Sequence, residues 1–256
     1  MPKLSEQEIG FLKPGETLDD LTLNGMKIIQ REKGYRFSMD SVLLAHFARA
    51  GGGEKVLDLG CGSGVIAILI AGLQPQCIIT GLEVQPDLAD RAKRSVELNG
   101  LSRMINIVSG SLQDMEALFS KGQFDLVVTN PPFWRIGEGK TSQDNEKLIA
   151  RHEVHVTLAD FIKAASYAIK PGGRLAMVQR AARFSEIMEL SRKAGLPIKR
   201  IRFIHPGINQ NANLVLAEAW KGSGGDPEIS PPLIVYDDKG KYTSDIMKIY
   251  FEKGEA

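Results

Sequence analysis

From residue 55 onward, short apolar runs alternate with stretches of helical spacing. KVLDL (55–59), CIITGLE (77–83), INIVS (105–109), FDLVVT (124–129) and RLAMVQ (174–179) are rich in aliphatic and β-branched residues. Such runs read as buried strands. Helical spacing follows near Gly64, over 86–99 where Pro86 opens the pattern, over 158–169, and near 183–194. A short amphipathic segment follows INIVS, and a PGG turn precedes RLAMVQ. This alternation implies parallel strands joined by right-handed crossovers. The last two strands, near 197–204 and 212–220, have no clear helix between them and read as a hairpin. The expectation is an α/β, Rossmann-like, seven-stranded, mostly parallel sheet with an antiparallel terminal strand and helices on both faces. Counted from 55–59, the expected strand order is 3-2-1-4-5-7-6.

Before this core, residues 18–36 hold two partly alternating runs around Asn24-Gly25, a hairpin signal. Residues 37–49 read as a helix capped by Ser38 or Asp40, with Val42, Leu43, Leu44 and Phe47 as its apolar set, ended by the glycines at 51–53. The first ten residues are expected to be mobile. After the core, SGGDPEISPP (223–232) reads as a surface linker and YTSDIMKIYFEKG as a closing helix. The expected organisation is a hairpin and helix at 1–50 covering the active site, a core at 51–222, and a linker and closing helix at 223–256 within the same domain.

Composition narrows the classes. Of the 256 residues 43% are hydrophobic and 25% charged, and the net charge is +1. This is an ordinary globular balance with no global polycationic signal, although a local patch suffices for nucleic acid. Two cysteines, Cys61 and Cys77, form no CxxC motif or Cys/His cluster, so no metal is expected. The longest apolar run, VIAILIAGL, is too short to cross a membrane, and the polar N-terminus does not read as a signal peptide. A cytoplasmic enzyme or binding protein is expected.

VLDLGCGSG (56–64) places Gly60, Gly62 and Gly64 between a strand and a helix. Such a turn admits a ligand close to the backbone, and the helix N-terminus adds free N–H groups. Asp58 stands just before it. A pyrophosphate gains nothing from that carboxylate, whereas a cationic amine or sulfonium does. Glu83 ends the next strand, where a carboxylate can accept both hydroxyls of a ribose. The structural alternatives are a helix-turn cap for Asp58 and a solvated strand end for Glu83.

TNPPFW (129–134) ends the fourth core strand. Two prolines stop the ladder and stiffen the chain, so Asn130 and Phe133 are presented at a set spacing. On its own the stretch is either a shelf for a ligand or a strand-terminating turn.

Together, DLGCGSG and Glu83 resemble the cofactor site of class I S-adenosylmethionine-dependent methyltransferases. TNPPFW resembles the [DNS]PP[YF] motif of the members that methylate exocyclic or amide nitrogens. The segment YRFSMDSVLLAHFA (35–48), the late stretch HPGINQNANLVLAEAWKGSGG, and PPLIVYDDKGKYTSDIMKIY are similar to bacterial tRNA adenine-N6 methyltransferases that modify adenosine 37 of a valine tRNA. The resemblance covers roughly residues 18–250. It implies S-adenosyl-L-methionine held by Asp58, Gly60, Gly62, Gly64, Glu83 and Asn130. It also implies an adenine N6 held by the Asn130 side-chain carbonyl and the Pro131 carbonyl, with Phe133 stacked on the base. Where these enzymes carry an acid for the cofactor adenine, this chain has Gly110-Ser111-Leu112, with Asp114 close behind. Ser111, Asp114 or main-chain groups are the alternatives.

An adenine in tRNA or another structured RNA calls for a phosphate-binding surface. Residues 170–205 hold Lys170, Arg174, Arg180, Arg183, Arg192, Lys193, Lys199, Arg200 and Arg202 against Glu186 and Glu189, a bias that suits phosphate or simply solvates the surface. The polar loop 135–152 adds Arg135, Lys140, Lys147 and Arg151 beside the motif. Trp134, Arg135, Lys140, Arg151, Arg180 and Arg183 are the expected substrate contacts, Trp134 as a second platform or a packed ring. His152 and His155 read as loop or RNA contacts, His46 as packed or half-exposed, and Cys61 as no nucleophile. A protein glutamine N5-methyltransferase and a non-catalytic S-adenosylmethionine-binding protein remain the alternatives, and the oligomeric state is open.

Overall fold

Asn24 and Gly25 both adopt left-handed backbone, with φ of 50° and 70°. This closes the expected hairpin between β1 (Glu16–Asp20) and β2 (Lys27–Arg31). The computed structural model describes residues 5–33, 36–133 and 156–251. Residues 6–10, expected to be mobile, form α1 (Glu6–Gly10), closed by a reciprocal Ser5–Glu8 capping box. The edge amides of β2 are met by side chains of α4 (Pro86–Leu98) and the residue after it: Ile29 N donates to Ser95 Oγ (3.0 Å) and Lys27 N to Asn99 Oδ1 (2.9 Å). At the other end of the strand, Arg31 pairs with Asp87 at the start of that helix. The hairpin therefore runs up α4 and delivers the chain to α2 (Met39–Ala48).

The core strands are β3 (Lys55–Leu59), β4 (Ile78–Glu83), β5 (Ile105–Ser109), β6 (Phe124–Thr129), β7 (Ile169–Arg180), β8 (Ile198–Gly207) and β9 (Leu214–Trp220). They lie in the order β5-β4-β3-β6-β7-β9-β8, as expected, and β9 is antiparallel to both of its neighbours. The expected number of strands needs correction. The sheet has nine, because β10 (Glu228–Ile229) and β11 (Leu233–Tyr236) both add parallel to β8. The stretch expected to be a linker is therefore partly sheet. Pro231 and Pro232 split this edge into two short pieces, and neither offers an N–H to the ladder, which hid the strand pattern. No crossover helix is needed, because β9 has already returned the chain to the starting end of the parallel strands.

Each face has its own core. The helix α3 (Val65–Leu73) is buried from Val65 to Gly72 because it lies between the sheet, α2 and the hairpin. A side chain at Gly72 would meet Met26 and Leu23 of the hairpin at 2.8–3.0 Å. On the opposite face, α5 (Met115–Leu118), α6 (Leu158–Ala168) and α7 (Phe184–Lys193) pack over Leu57, Val127, Leu175 and Val215. The closing helix α8 (Ser244–Phe251) joins the first face through Ile246. Among the described residues, no helix is long and apolar enough to cross a membrane, and no cluster of His, Cys, Asp and Glu is arranged to hold a metal.

Candidate active site

The glycine turn sits where β3 ends. Gly60 and Cys61 both donate their amides to the Leu82 carbonyl (2.9 and 3.0 Å), which fastens the turn to the end of β4. Gly62, with φ of 57°, faces open space, whereas a side chain at Gly64 (φ 90°) would press on Ala92 at 3.3 Å. The first glycine thus keeps the backbone accessible, and the second allows the helices to pack. Glu83 is buried, and its two oxygens accept from Gly62 N and Gln85 N, both at 2.9 Å. The carboxylate braces the turn from the next strand.

Asp58 is wholly buried. One oxygen accepts from Ala67 N at 3.2 Å, and the other has no hydrogen-bond partner in the protein. Burial pushes its carboxyl up to about 7, with the nearby Glu83 charge adding to the effect and the Ala67 bond opposing it. An orphaned carboxylate oxygen under a glycine turn suits a cationic ligand. The donor set thus fits the sulfonium cofactor that the resemblance implies. Cys61 is buried with its thiol pushed up, first by burial and then by these two carboxylates, in keeping with a packing role.

The Asn-Pro-Pro-Phe shelf is fastened to the same turn. Thr129, fully buried, donates from Oγ1 to the Leu59 carbonyl at 2.8 Å. Asn130 is half-buried, and its Nδ2 lies 3.4 Å from Ser41 Oγ in the first turn of α2. Its Oδ1 is the atom left to accept from a ligand. Pro131 is buried, and half-buried Phe133 packs against the first core. Gln179, fully buried at the end of β7, donates Nε2 to the Pro132 carbonyl at 3.3 Å. Sequence reasoning missed Ser41, Thr129 and Gln179. The available signal was a polar residue closing an apolar strand, as in VVT and AMVQ.

The structure divides the other expected contacts. Ser111 follows β5, and its hydroxyl accepts from Gln113 N at 3.1 Å. Exposed Asp114 lines a surface cleft of about 410 Å³ with Asp160 and Lys163. The basic run 170–205 is dispersed rather than gathered on one face. Lys170 pairs with Asp125, and Arg174 holds Glu54 with two bonds at the starting end of the strands. Arg200 is buried on Glu218 and the Phe47 carbonyl, and Lys193 pairs with Glu189 in the last turn of α7. Strand direction leaves Arg180 and Arg183 at the site end, and Arg183 is largely buried against Glu186. Trp134, Arg135, Lys140, Lys147, Arg151, His152 and His155 lie outside the described residues.

The Methyltransferase small domain family model matches residues 38–193. A tRNA1(Val) (adenine(37)-N6)-methyltransferase of Porphyromonas gingivalis is 28% identical over 223 residues, covering 84% of this chain and 86% of that protein. One of the same description from Shewanella baltica is 25% identical, covering 84% and 90%. In fold, the chain is similar to the crystal structure of "a predicted O-methyltransferase" from Agrobacterium tumefaciens, with a TM-score of 0.68 and 22% identity over 85% of this chain and 98% of that one.

Proposed function

Since this chain belongs to the methyltransferase small domain family and is a class I S-adenosylmethionine-dependent methyltransferase, we propose that it methylates the exocyclic N6 of an adenine in tRNA. The position proposed is adenosine 37 of a valine tRNA, the one that the names of its relatives give. The observation that carries this reading is the placement of Asn130 between the glycine turn and Ser41.

S-adenosylmethionine supplies an electrophilic methyl on a sulfonium. In this reading the turn of Gly60, Gly62 and Gly64 receives it, with Gly62 leaving the main chain open, Glu83 holds the ribose, and Asp58 offers negative charge to its cationic end. Ser111, Asp114 or the main chain after β5 receives its adenine. The target N6 is a poor nucleophile, because its lone pair is delocalised into the ring. Asn130 Oδ1 and the Pro131 carbonyl accept its two hydrogens and turn the lone pair toward the cofactor. Ser41 fixes which end of the Asn130 amide faces the base, and Gln179 holds the shelf. Phe133 provides a face for the base and excludes water. This is catalysis by positioning and preorganised dipoles. The adenine must come from an exposed loop or be flipped out. Segments 1–50 and 223–256 flank the 51–222 core as parts of the same unit, with Arg180 and Arg183 at its substrate end.

The test is methylation of total RNA and of total protein with labelled S-adenosylmethionine, followed by an in vitro transcribed valine tRNA and a second transcript with guanosine in place of the target adenosine. Label in the first transcript, recovered as N6-methyladenosine and absent from the guanosine form, is expected. Label confined to protein glutamine would overturn the reading.

A further inference from the structure

Residues 236–251 place four aromatic rings in a row. Thr243 ties the start of α8 back to β11, donating from Oγ1 to the Ile234 carbonyl (2.6 Å) and from N to the Val235 carbonyl (3.0 Å). The turn between them closes on Asp237, whose Oδ1 accepts from Lys239 N and Lys241 N, both at 2.9 Å. Tyr236 and Tyr242 therefore face each other across an antiparallel bridge. Their rings stack at 5.3 Å and 17°, and Tyr242 stacks on Tyr250 at 6.0 Å and 9°. Phe251 follows, tilted, at 6.2 Å from Tyr250.

The inner ring of this row is anchored and the outer ones are not. Tyr250 packs on the core that also receives Phe133, and burial pushes its hydroxyl up to about 12. Tyr236 and Tyr242 are each 41% exposed and Phe251 is 57% exposed. Ile208 and Met247 are exposed beside them in sequence and register, since Tyr236 pairs with Gly207. Half of the large exposed apolar side chains among the described residues gather here. A cluster of that kind marks a contact surface. Exposed Lys239, Lys241 and Lys248 share this segment with exposed Asp237, Asp238 and Asp245, of which Asp237 is engaged by the turn and Asp245 lies near Arg202.

The row also stands at the right end of the molecule. β11 is parallel to β8, so Tyr236 lies at the same sheet end as the glycine turn and Asn130. Four strand spacings separate β6 from β11, roughly 19 Å. α2 spans part of this distance, since Asp40 lies within electrostatic reach of Tyr250 and Ser41 contacts Asn130. Flat, near-parallel and exposed rings suit nucleobases better than an aliphatic protein face.

We propose that the Tyr236–Tyr242–Tyr250 row is a stacking platform for an unpaired base of the RNA substrate, neighbouring the target adenine in the same loop. This rests on the tRNA reading above. Tyr236→Leu and Tyr242→Leu, singly and together, are compared with the Tyr→Phe variants, using valine tRNA transcript and its isolated anticodon stem–loop. The double leucine variant is expected to lower RNA affinity and raise KM for tRNA on the order of tenfold or more. The phenylalanine variants are expected to stay within about twofold, with S-adenosylmethionine affinity and Tm unchanged. Wild-type protein that fails to methylate tRNA defeats the tRNA reading. Wild-type activity with an unchanged RNA affinity and KM in the double leucine variant defeats this inference alone. Sedimentation showing that the leucine variants dissociate a wild-type dimer would assign the row to a second copy of the chain and overturn it.

Discussion

Thr129 Oγ1 donates to the Leu59 carbonyl at 2.8 Å, and this bond joins the end of the strand that carries the shelf to the end of the strand that carries the glycine turn. Neither residue touches the adenine in the proposed reaction, yet their bond helps set where Asn130 stands relative to the cofactor turn. Replacing Thr129 with valine keeps the shape and removes the donor. A loss of about 1 kcal/mol in stability is expected, with a larger effect on the methyl-transfer rate than on cofactor affinity. Urea denaturation alongside single-turnover kinetics separates the two.

Asn130→Ala should slow the transfer step by roughly 10²–10³, about 3–4 kcal/mol, the usual cost of one preorganised acceptor. Binding of S-adenosylmethionine and Tm should hardly change. Ser41→Ala should give a smaller loss of rate in the same direction, because the Asn130 amide can then rotate. Wild-type single-turnover rates in the Asn130 variant would reduce TNPPFW to a turn.

Glu83 accepts main-chain N–H groups from Gly62 and Gln85, so its replacement has two consequences. Glu83→Ala should weaken S-adenosylmethionine binding by about 1–3 kcal/mol and also loosen the turn. Glu83→Gln keeps an acceptor for one amide and should lie between alanine and wild type. Calorimetry that finds unaltered affinity in both variants would remove Glu83 from the cofactor site.

Burial raises the Asp58 carboxyl from an ordinary 3.8 to about 7. The folded chain then holds a proton there that the unfolded chain has released. Its contribution to stability is full below about pH 4 and is lost as pH rises through about 7. Without cofactor, Asp58→Asn should therefore gain stability relative to wild type as pH is raised from 5 to 8. A cationic ligand favours the carboxylate, so binding should release protons at pH 6. Titration calorimetry in two buffers of different ionisation enthalpy measures this, and binding without proton exchange would place the positive charge away from Asp58.

The basic residues should separate by position. Arg200→Ala leaves Glu218 buried without its closest partner and should destabilise the fold by about 3 kcal/mol. Lys193→Ala, at the far end of α7, should leave KM for tRNA unchanged. Arg180→Ala, at the site end, should raise it with little change in Tm. Equal effects of Lys193 and Arg180 on KM would restore a single basic face.

The expected order of the seven core strands agrees with the observed one, and the alternation of apolar runs and helical stretches already pointed to parallel strands with helical crossovers. The reason is local: buried parallel strands need continuous apolar runs, and each crossover needs a helix. Asp58, the three glycines, Glu83 and Asn130 could be put forward as candidate site residues for a related reason, since they lie at or beside strand ends, and strand ends in such sheets carry the ligand groups. What the chain alone could not show depends on partners distant in sequence. The charges at 170–205 read as one basic bias, but consecutive strands and helices run in opposite directions and send them to opposite ends of the sheet, and at the starting end Glu54, Asp125 and Glu218 meet several of them. Pro231 and Pro232 concealed two short strands that only β8 could recruit. Ser41, Thr129 and Gln179 are ordinary polar residues until the fold sets them against Asn130, Leu59 and Pro132. Three tyrosines separated by six and eight residues form one stacked row only because a turn and a helix cap close the chain back on β11. Local patterning dictates which elements form and where the strands end, whereas contacts across the sheet decide which charges are neutralised and which rings stay exposed.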